Sequence, residues 1–135
     1  MSGGYLLDAS ALTEVLRRSP APRFVARLRS VPTADRWTSA LVAAELMLAA
    51  RRSANRVIAT DVVRLLAAIR VAAFDVACAR TFAKLRATME WAGAPLSESD
   101  FLTAAVARTH DMTFVTRRAH LFREVPQLRV EDWTL

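Results

Sequence analysis

The chain has 135 residues, 53% of them hydrophobic, with only three glycines and five prolines; that is the size and apolar content of one globular domain, residues 1–135, with a real core, and argues against long loops and disorder. Its net charge of +6 arises entirely before residue 100, because residues 100–135 carry five basic and five acidic side chains. Such a balance suits a polyanionic partner, nucleic acid ahead of an acidic protein, although a solvated basic surface has the same composition.

Tyr5-Leu6-Leu7 is short, apolar and ends at Asp8, the pattern of a buried parallel strand. Ser10–Arg17 reads as a helix, broken by Ser19-Pro20-Ala21-Pro22, and Arg23–Arg29 resumes with Phe24, Val25 and Leu28 on one side. Arg36-Trp37-Thr38 is a second strand. Ser39 is placed to cap a helix running to about Arg52, where Arg51 and Arg52 suit the dipole end. Val57–Leu66 is amphipathic, Ile69–Phe74 a third strand, and a helix opening at Asp75 or Val76 reaches about Trp91 before Gly93-Ala94-Pro95. Ser97 and Asp100 match a capping box that opens a helix to about His110. Met112–Val115 is a fourth strand, Arg117–Arg123 a loop or turn, and Leu128-Arg129-Val130 a last strand before Trp133. Strands alternating with helices predict a three-layer α/β/α domain with a parallel sheet of about five strands.

Cys78 is the only cysteine and sits among apolar neighbours, so a buried thiol and no intrachain disulfide are expected. No basic-then-apolar leader opens the chain, and no apolar run approaches the ~20 residues of a spanning helix; a cytoplasmic protein without a membrane segment is expected. His110 and His120 do not make a zinc pattern. Trp37, Trp91 and Trp133 read as core or dimer-interface residues.

Three carboxylates interrupt apolar stretches: Asp8 after the first strand, Glu45 within Ser39–Leu48, and Asp100 at the head of Phe101–Arg108. Burying a carboxylate beside hydrocarbon is costly unless something positive compensates it. Three oxygen donors at one point would suit a hard cation such as Mg²⁺ or Mn²⁺ and metal-assisted phosphodiester hydrolysis. Each acid also has a local reading: Asp8 as a helix cap, Asp100 as half of the capping box, Glu45 as a solvent-facing residue.

In order and spacing these pieces resemble the PIN domain, and specifically VapC-type ribonuclease toxins. The segments that carry the resemblance are Tyr5-Leu6-Leu7-Asp8-Ala9-Ser10, Ser39–Leu46 with Glu45, and Gly93-Ala94-Pro95-Leu96 followed by Asp100–Ala105. Phe114-Val115-Thr116, Phe122, Val125-Pro126 and Leu128–Trp133 complete it. The resemblance implies a divalent-metal-dependent endoribonuclease, usually dimeric and held inactive by a cognate antitoxin. It makes Asp8, Glu45 and Asp100 the catalytic, metal-binding carboxylates, with Ser10 and Thr116 hydrogen-bonding beside them. Arg117 and Arg118, which follow the fourth strand, are the candidate RNA contacts.

One departure stands out. Where the family commonly has Asn or Asp two residues after the Thr, and an acid or His five after it, this chain has Arg118 and Leu121. With three acids, one bound metal is expected instead of a two-metal clamp. Arg118 then either replaces the second ion at the scissile phosphate or repels cations. The competing reading is a degenerate domain that binds RNA or a protein without cleaving. A dehalogenase- or receiver-type phosphoryl-transfer site fits poorly, since Ser10 replaces the expected second Asp and the single lysine, Lys84, lies inside a predicted helix.

Overall fold

In the computed structural model, which describes residues 3–89 and 95–135, Tyr5–Leu7 (β1) is the middle strand of the sheet. Around it the chain places α1 (Ala9–Leu16), α2 (Pro22–Ser30), β2 (Arg36–Ser39), α3 (Ala40–Arg52), α4 (Arg56–Ala68) and β3 (Arg70–Ala72). There follow α5 (Val76–Met89), α6 (Glu98–Thr109), β4 (Thr113–Val115), α7 (Ala119–Phe122) and β5 (Val130–Glu131). The five strands lie in the order β3-β2-β1-β4-β5, and every neighbouring pair is parallel.

The alternation of side chains along a strand builds two cores from this one sheet. Leu6 pairs with Phe114 and Leu7 with Val115 across β1 and β4. Leu6 and Phe114 enter one core with Cys78, Leu85, Phe101 and Phe122, under α5, α6 and α7. Leu7 and Val115 enter the other with Leu12, Phe24, Val42, Leu46 and Trp133, under α1, α2 and α3. Both faces are covered, which is why the central strands read as continuous apolar runs.

Most expected elements form within a residue or two of their predicted bounds; one differs in kind, and the last strand is displaced by two residues at its start. The stretch expected to be a loop at Arg117–Arg123 contains α7, anchored by the fully buried Phe122, whose ring lies 4.6 Å from that of Phe114. The last strand starts later than Leu128, because Gln127 turns with φ of 57° and ladder pairing with β4 begins only at Arg129. Trp133 is buried and packs its indole against Tyr5 and Phe24 at 5.5 and 5.8 Å, while Trp37 is half-buried beneath the Arg70 guanidinium. Cys78 is buried, and His110 and His120 are exposed. The expected end of α5 near Trp91, the stop at Gly93-Ala94 and the role of Trp91 lie outside the described residues. Among the described residues no helix is long and apolar enough to cross a membrane.

Candidate functional site

From β1 the chain builds outward to β2 and β3, then returns to add β4 and β5 on the other side. The carboxyl ends of β1 and β4 therefore flank the point where strand order reverses, where an open α/β sheet leaves a crevice. Asp8 is the first residue after β1 and donates its N–H to the Val115 carbonyl at 3.0 Å. Thr116, buried, is the first residue after β4.

Local structure holds these groups in place. Asp8 caps α1: its Oδ1 accepts the Ala11 N–H at 2.9 Å and the Ser10 hydroxyl at 2.7 Å. The Ser10 proton is thereby committed, so the Thr116 hydroxyl donates across the 3.2 Å contact to Ser10 Oγ. Ser10 Oγ also accepts the Arg117 N–H and Thr116 Oγ1 the Arg118 N–H, at 2.9 and 3.0 Å. Ser10 and Thr116 thus tie the loop after β4 to the start of α1.

Ser39, at the end of β2, caps α3 through the Val42 N–H and starts the helix that carries Glu45. Glu45 is exposed and accepts the Ser99 hydroxyl at 2.6 Å. Asp100 belongs to a full capping box with Ser97, its Oδ2 accepting the Ser97 N–H at 3.0 Å. For Asp8 and Asp100 the capping role and a place in the crevice coexist. Asp8, Glu45, Asp100 and Arg118 line one cavity of about 80 Å³, floored by Val42, Thr103 and Phe114.

The electrostatics of that cavity centre on Arg118. Its two terminal nitrogens meet Asp100 Oδ1 at 2.6 Å and Oδ2 at 3.3 Å, and the nearer one lies 3.7 Å from Asp8 Oδ2. Asp8 Oδ2 is buried and has no hydrogen-bond partner among the described residues. Burial pushes the Asp100 carboxyl up, but the Arg118 guanidinium and the Ser97 amide outweigh it, leaving Asp100 below its ordinary value. The hydrogen bond to Asp100 holds Arg118 above its own, against the opposing effect of burial. Because Asp100 is depressed in the folded state, its contribution to stability is complete above its unfolded value near pH 4 and is lost as pH falls through the folded one. Urea midpoints measured from pH 7 to pH 2 are expected to fall more steeply below about pH 4 in the wild type than in Asp100→Asn; parallel curves would contradict the pairing.

Among the described residues no three Asp, Glu, His or Cys side chains are gathered tightly enough to hold an ion as they stand. The geometry shows why: Arg118 lies between Asp8 and Asp100, and Ser99 holds Glu45 at the rim. The donor set nevertheless fits a hard cation. It consists of carboxylate oxygens, and one of them, Asp8 Oδ2, is an orphaned buried acceptor of the kind that an ion satisfies.

Arg117 turns away from the cavity, with its guanidinium 3.5 Å from Glu14 Oε1. Glu14 is fully buried on α1, accepts the Ala21 N–H at 2.6 Å and pairs with Arg17 at 3.0 Å. The Ala21 bond, with help from both arginines, holds its carboxyl below the usual range despite burial. Sequence reasoning passed over Glu14, although the signal that marked Glu45, an acid interrupting apolar helix residues, marks Leu12-Thr13-Glu14-Val15-Leu16 equally. Leu121 packs against the core that contains Phe122, and His120 faces solvent, so neither joins the carboxylates. A wider hollow of about 520 Å³ beside the β3 edge, with Trp37, Arg70, Asp75 and His110 in its wall, lies off the switch point. There Asp75 is committed to the Cys78 N–H and Arg70 to the Ala34 carbonyl.

Comparison with known proteins gives a consistent result. The PIN domain profile matches residues 5–128. Toxin FitB of Neisseria gonorrhoeae (strain ATCC 700825 / FA 1090) is 31% identical over 120 residues, covering 83% of this chain and 86% of that protein. The crystal structure of FitAcB from Neisseria gonorrhoeae superposes with a TM-score of 0.84 at 28% identity, over 96% of this chain and 97% of that one. VapBC2 from Rickettsia felis, bound to a DNA fragment from its promoter, gives a TM-score of 0.87 over 98% and 99% of the two chains. At 22% identity that last likeness bears on the fold alone.

Proposed function

The chain belongs to the PIN domain family, and from that premise we propose that it is a divalent-metal-dependent endoribonuclease, the toxin of a type II toxin–antitoxin pair. One observation carries the reading: Asp8, Glu45 and Asp100 come from three separate elements to one cavity at the switch point, where Asp8 Oδ2 is buried without a partner among the described residues. These three acids would hold Mg²⁺ or Mn²⁺. When bound, such an ion lowers the pKa of a water and offsets charge building on the phosphate.

The remaining work falls to the chain's own residues. Ser10 and the Ala11 amide fix Asp8 Oδ1, which leaves Oδ2 free to help hold the ion. The Ser97 amide fixes Asp100. Glu45, exposed, has one oxygen held by Ser99 and the other free to help hold the ion, and a carboxylate not engaged with the ion would take the proton from water. Arg117 and Arg17, both half-exposed around Glu14, offer charge to an RNA backbone beside the cavity. Attack by water leaves a 5′-phosphate and a 3′-hydroxyl and needs no ribose 2′-OH, so RNA preference rests on contacts around the site.

The identity with a toxin supports the toxin half of the reading. Exposed apolar residues on α3 (Met47, Leu48) and α4 (Val57, Ile58, Val63) support protein partners, here a cognate antitoxin and a second copy of the chain. A second reading, an RNA- or protein-binding module without turnover, is favoured by one observation only, the presence of Arg118 among the acids.

The test is incubation of the partner-free protein with a panel of structured RNAs in Mg²⁺, in Mn²⁺ and in EDTA. Cleavage only with metal, leaving 5′-phosphate ends, is the expected result. A 2′,3′-cyclic phosphate product overturns the mechanism, and RNA retention without cleavage in either metal establishes the binding module.

A further inference from the structure

Arg118 lies between Asp8 and Asp100, two of the three carboxylates that would hold an ion. Its backbone is fixed by the Thr116 hydroxyl, and its side chain passes over the Phe122 ring with the guanidinium carbon 5.5 Å from the centroid. From there one nitrogen serves two carboxylates, at 2.6 Å from Asp100 Oδ1 and 3.7 Å from Asp8 Oδ2. Arg118 contacts both oxygens of Asp100, so an ion that ligates Asp100 meets the guanidinium charge at close range. The contact to Asp8 is too long for a hydrogen bond, so Arg118 neutralises that carboxylate without satisfying it. The Arg118 side chain is 38% exposed, so its guanidinium can leave toward solvent without disturbing the core.

We infer that Arg118 is a resident counter-cation that alternates with the divalent ion in the carboxylate cluster, and that the guanidinium released on ion entry binds a phosphate of the substrate backbone. This rests on the reading of the three acids as a metal site. The guanidinium fork that grips Asp100 through two nitrogens fits a phosphate in the same bidentate way. The exchange links the two events: ion entry frees the group that holds substrate, so the chain without metal has both its acids and its phosphate clamp tied together. It also accounts for an Arg at this position without a repelled metal, since the charge that opposes the ion is mobile.

Mn²⁺ binding to the full chain by calorimetry, for the wild type, Arg118→Gln and Arg118→Lys, tests the exchange. Arg118→Gln is expected to bind Mn²⁺ about tenfold more tightly than the wild type, the effect of removing one opposing charge from a partly desolvated site, and Arg118→Lys to lie between them. In the wild type, a Mg²⁺ titration followed by NMR is expected to move the Arg118 Nε–Hε signal in step with ion binding; this measurement needs no variant to fold. With Ca²⁺ present, Arg118→Gln should weaken binding of a single-stranded RNA oligonucleotide severalfold, and in EDTA it should change it less than twofold. An unaltered or weaker Mn²⁺ affinity in Arg118→Gln, a stationary Nε–Hε signal, or equal RNA losses with and without Ca²⁺ overturns the exchange while leaving the metal reading intact. Absence of Mn²⁺ binding in wild type and variants alike overturns both.

Discussion

Asp8→Asn is expected to lower metal-dependent RNA cleavage about 10³-fold while moving the urea midpoint little. The two effects separate because the two oxygens of Asp8 do different work. Oδ1 caps α1 and accepts the Ser10 hydroxyl, and an asparagine oxygen accepts both bonds as well as a carboxylate does. Asn and Asp are near-equal caps, so the change in stability stays within about 1 kcal/mol. Oδ2 is buried, lacks a partner among the described residues and belongs to a residue that lines the cavity. In the proposed metal site, replacing it with an amide would remove both a charge and a lone pair from the ligands. A metal supplies several kcal/mol of transition-state stabilisation, at one decade of rate per roughly 1.4 kcal/mol, which sets the size of the loss. Single-turnover cleavage at saturating Mg²⁺, paired with urea melts, measures both quantities. Activity within tenfold of the wild type would remove Asp8 from the ligand set, and a large stability loss with activity retained would leave it only its cap.

How far the fold can be read from the chain depends on whether the signal is local. β1 was readable because three apolar residues followed by an acid have few alternatives in a parallel sheet, and α3 and α6 because Ser39 and Ser97 announce their caps in adjacent residues. The three acids were readable as a group by spacing, since Asp8 at a strand end, Asp100 in a first helical turn and Glu45 one turn into a helix that starts at a strand end lie on one edge of a parallel sheet. Their actual disposition was not. Whether Arg118 points at Asp100 or at solvent depends on Thr116 holding its N–H and on Phe122 lying beneath it, two contacts set by packing. Glu14 carried the same local signal as Glu45, but of its partners only Arg17 is local, whereas Ala21 and Arg117 reach it only after the loop beyond α1 and the residues after β4 have packed. The late start of β5 follows from a single positive-φ residue, Gln127, which carries no glycine or asparagine signal.

α7 is the sharpest of these cases, and its importance predicts the second large effect: Phe122→Ala is expected to lower the free energy of unfolding by about 3–5 kcal/mol. One turn of helix is too short to be stable by propensity, and Ala119-His120-Leu121-Phe122 shows no periodic pattern to betray it. Tertiary packing decides the structure instead. Phe122 is fully buried against Phe114, the β4 residue that pairs with Leu6 of the central strand, so its ring joins α7 directly to the middle of the sheet. Truncation opens a cavity under residues that sheet pairing prevents from collapsing, which places the cost at the upper part of the range for large-to-small changes. Against a total stability of roughly 5–15 kcal/mol for a domain, that is a large fraction. Leu121→Ala on the same turn, where the side chain is only partly buried, should cost distinctly less. Urea titrations of both variants decide the matter. A cost below about 1 kcal/mol for Phe122→Ala would mean that α7 is a surface turn laid on a finished core, and Arg118, which leans on that ring, would then lack the rigid base from which it reaches the acids.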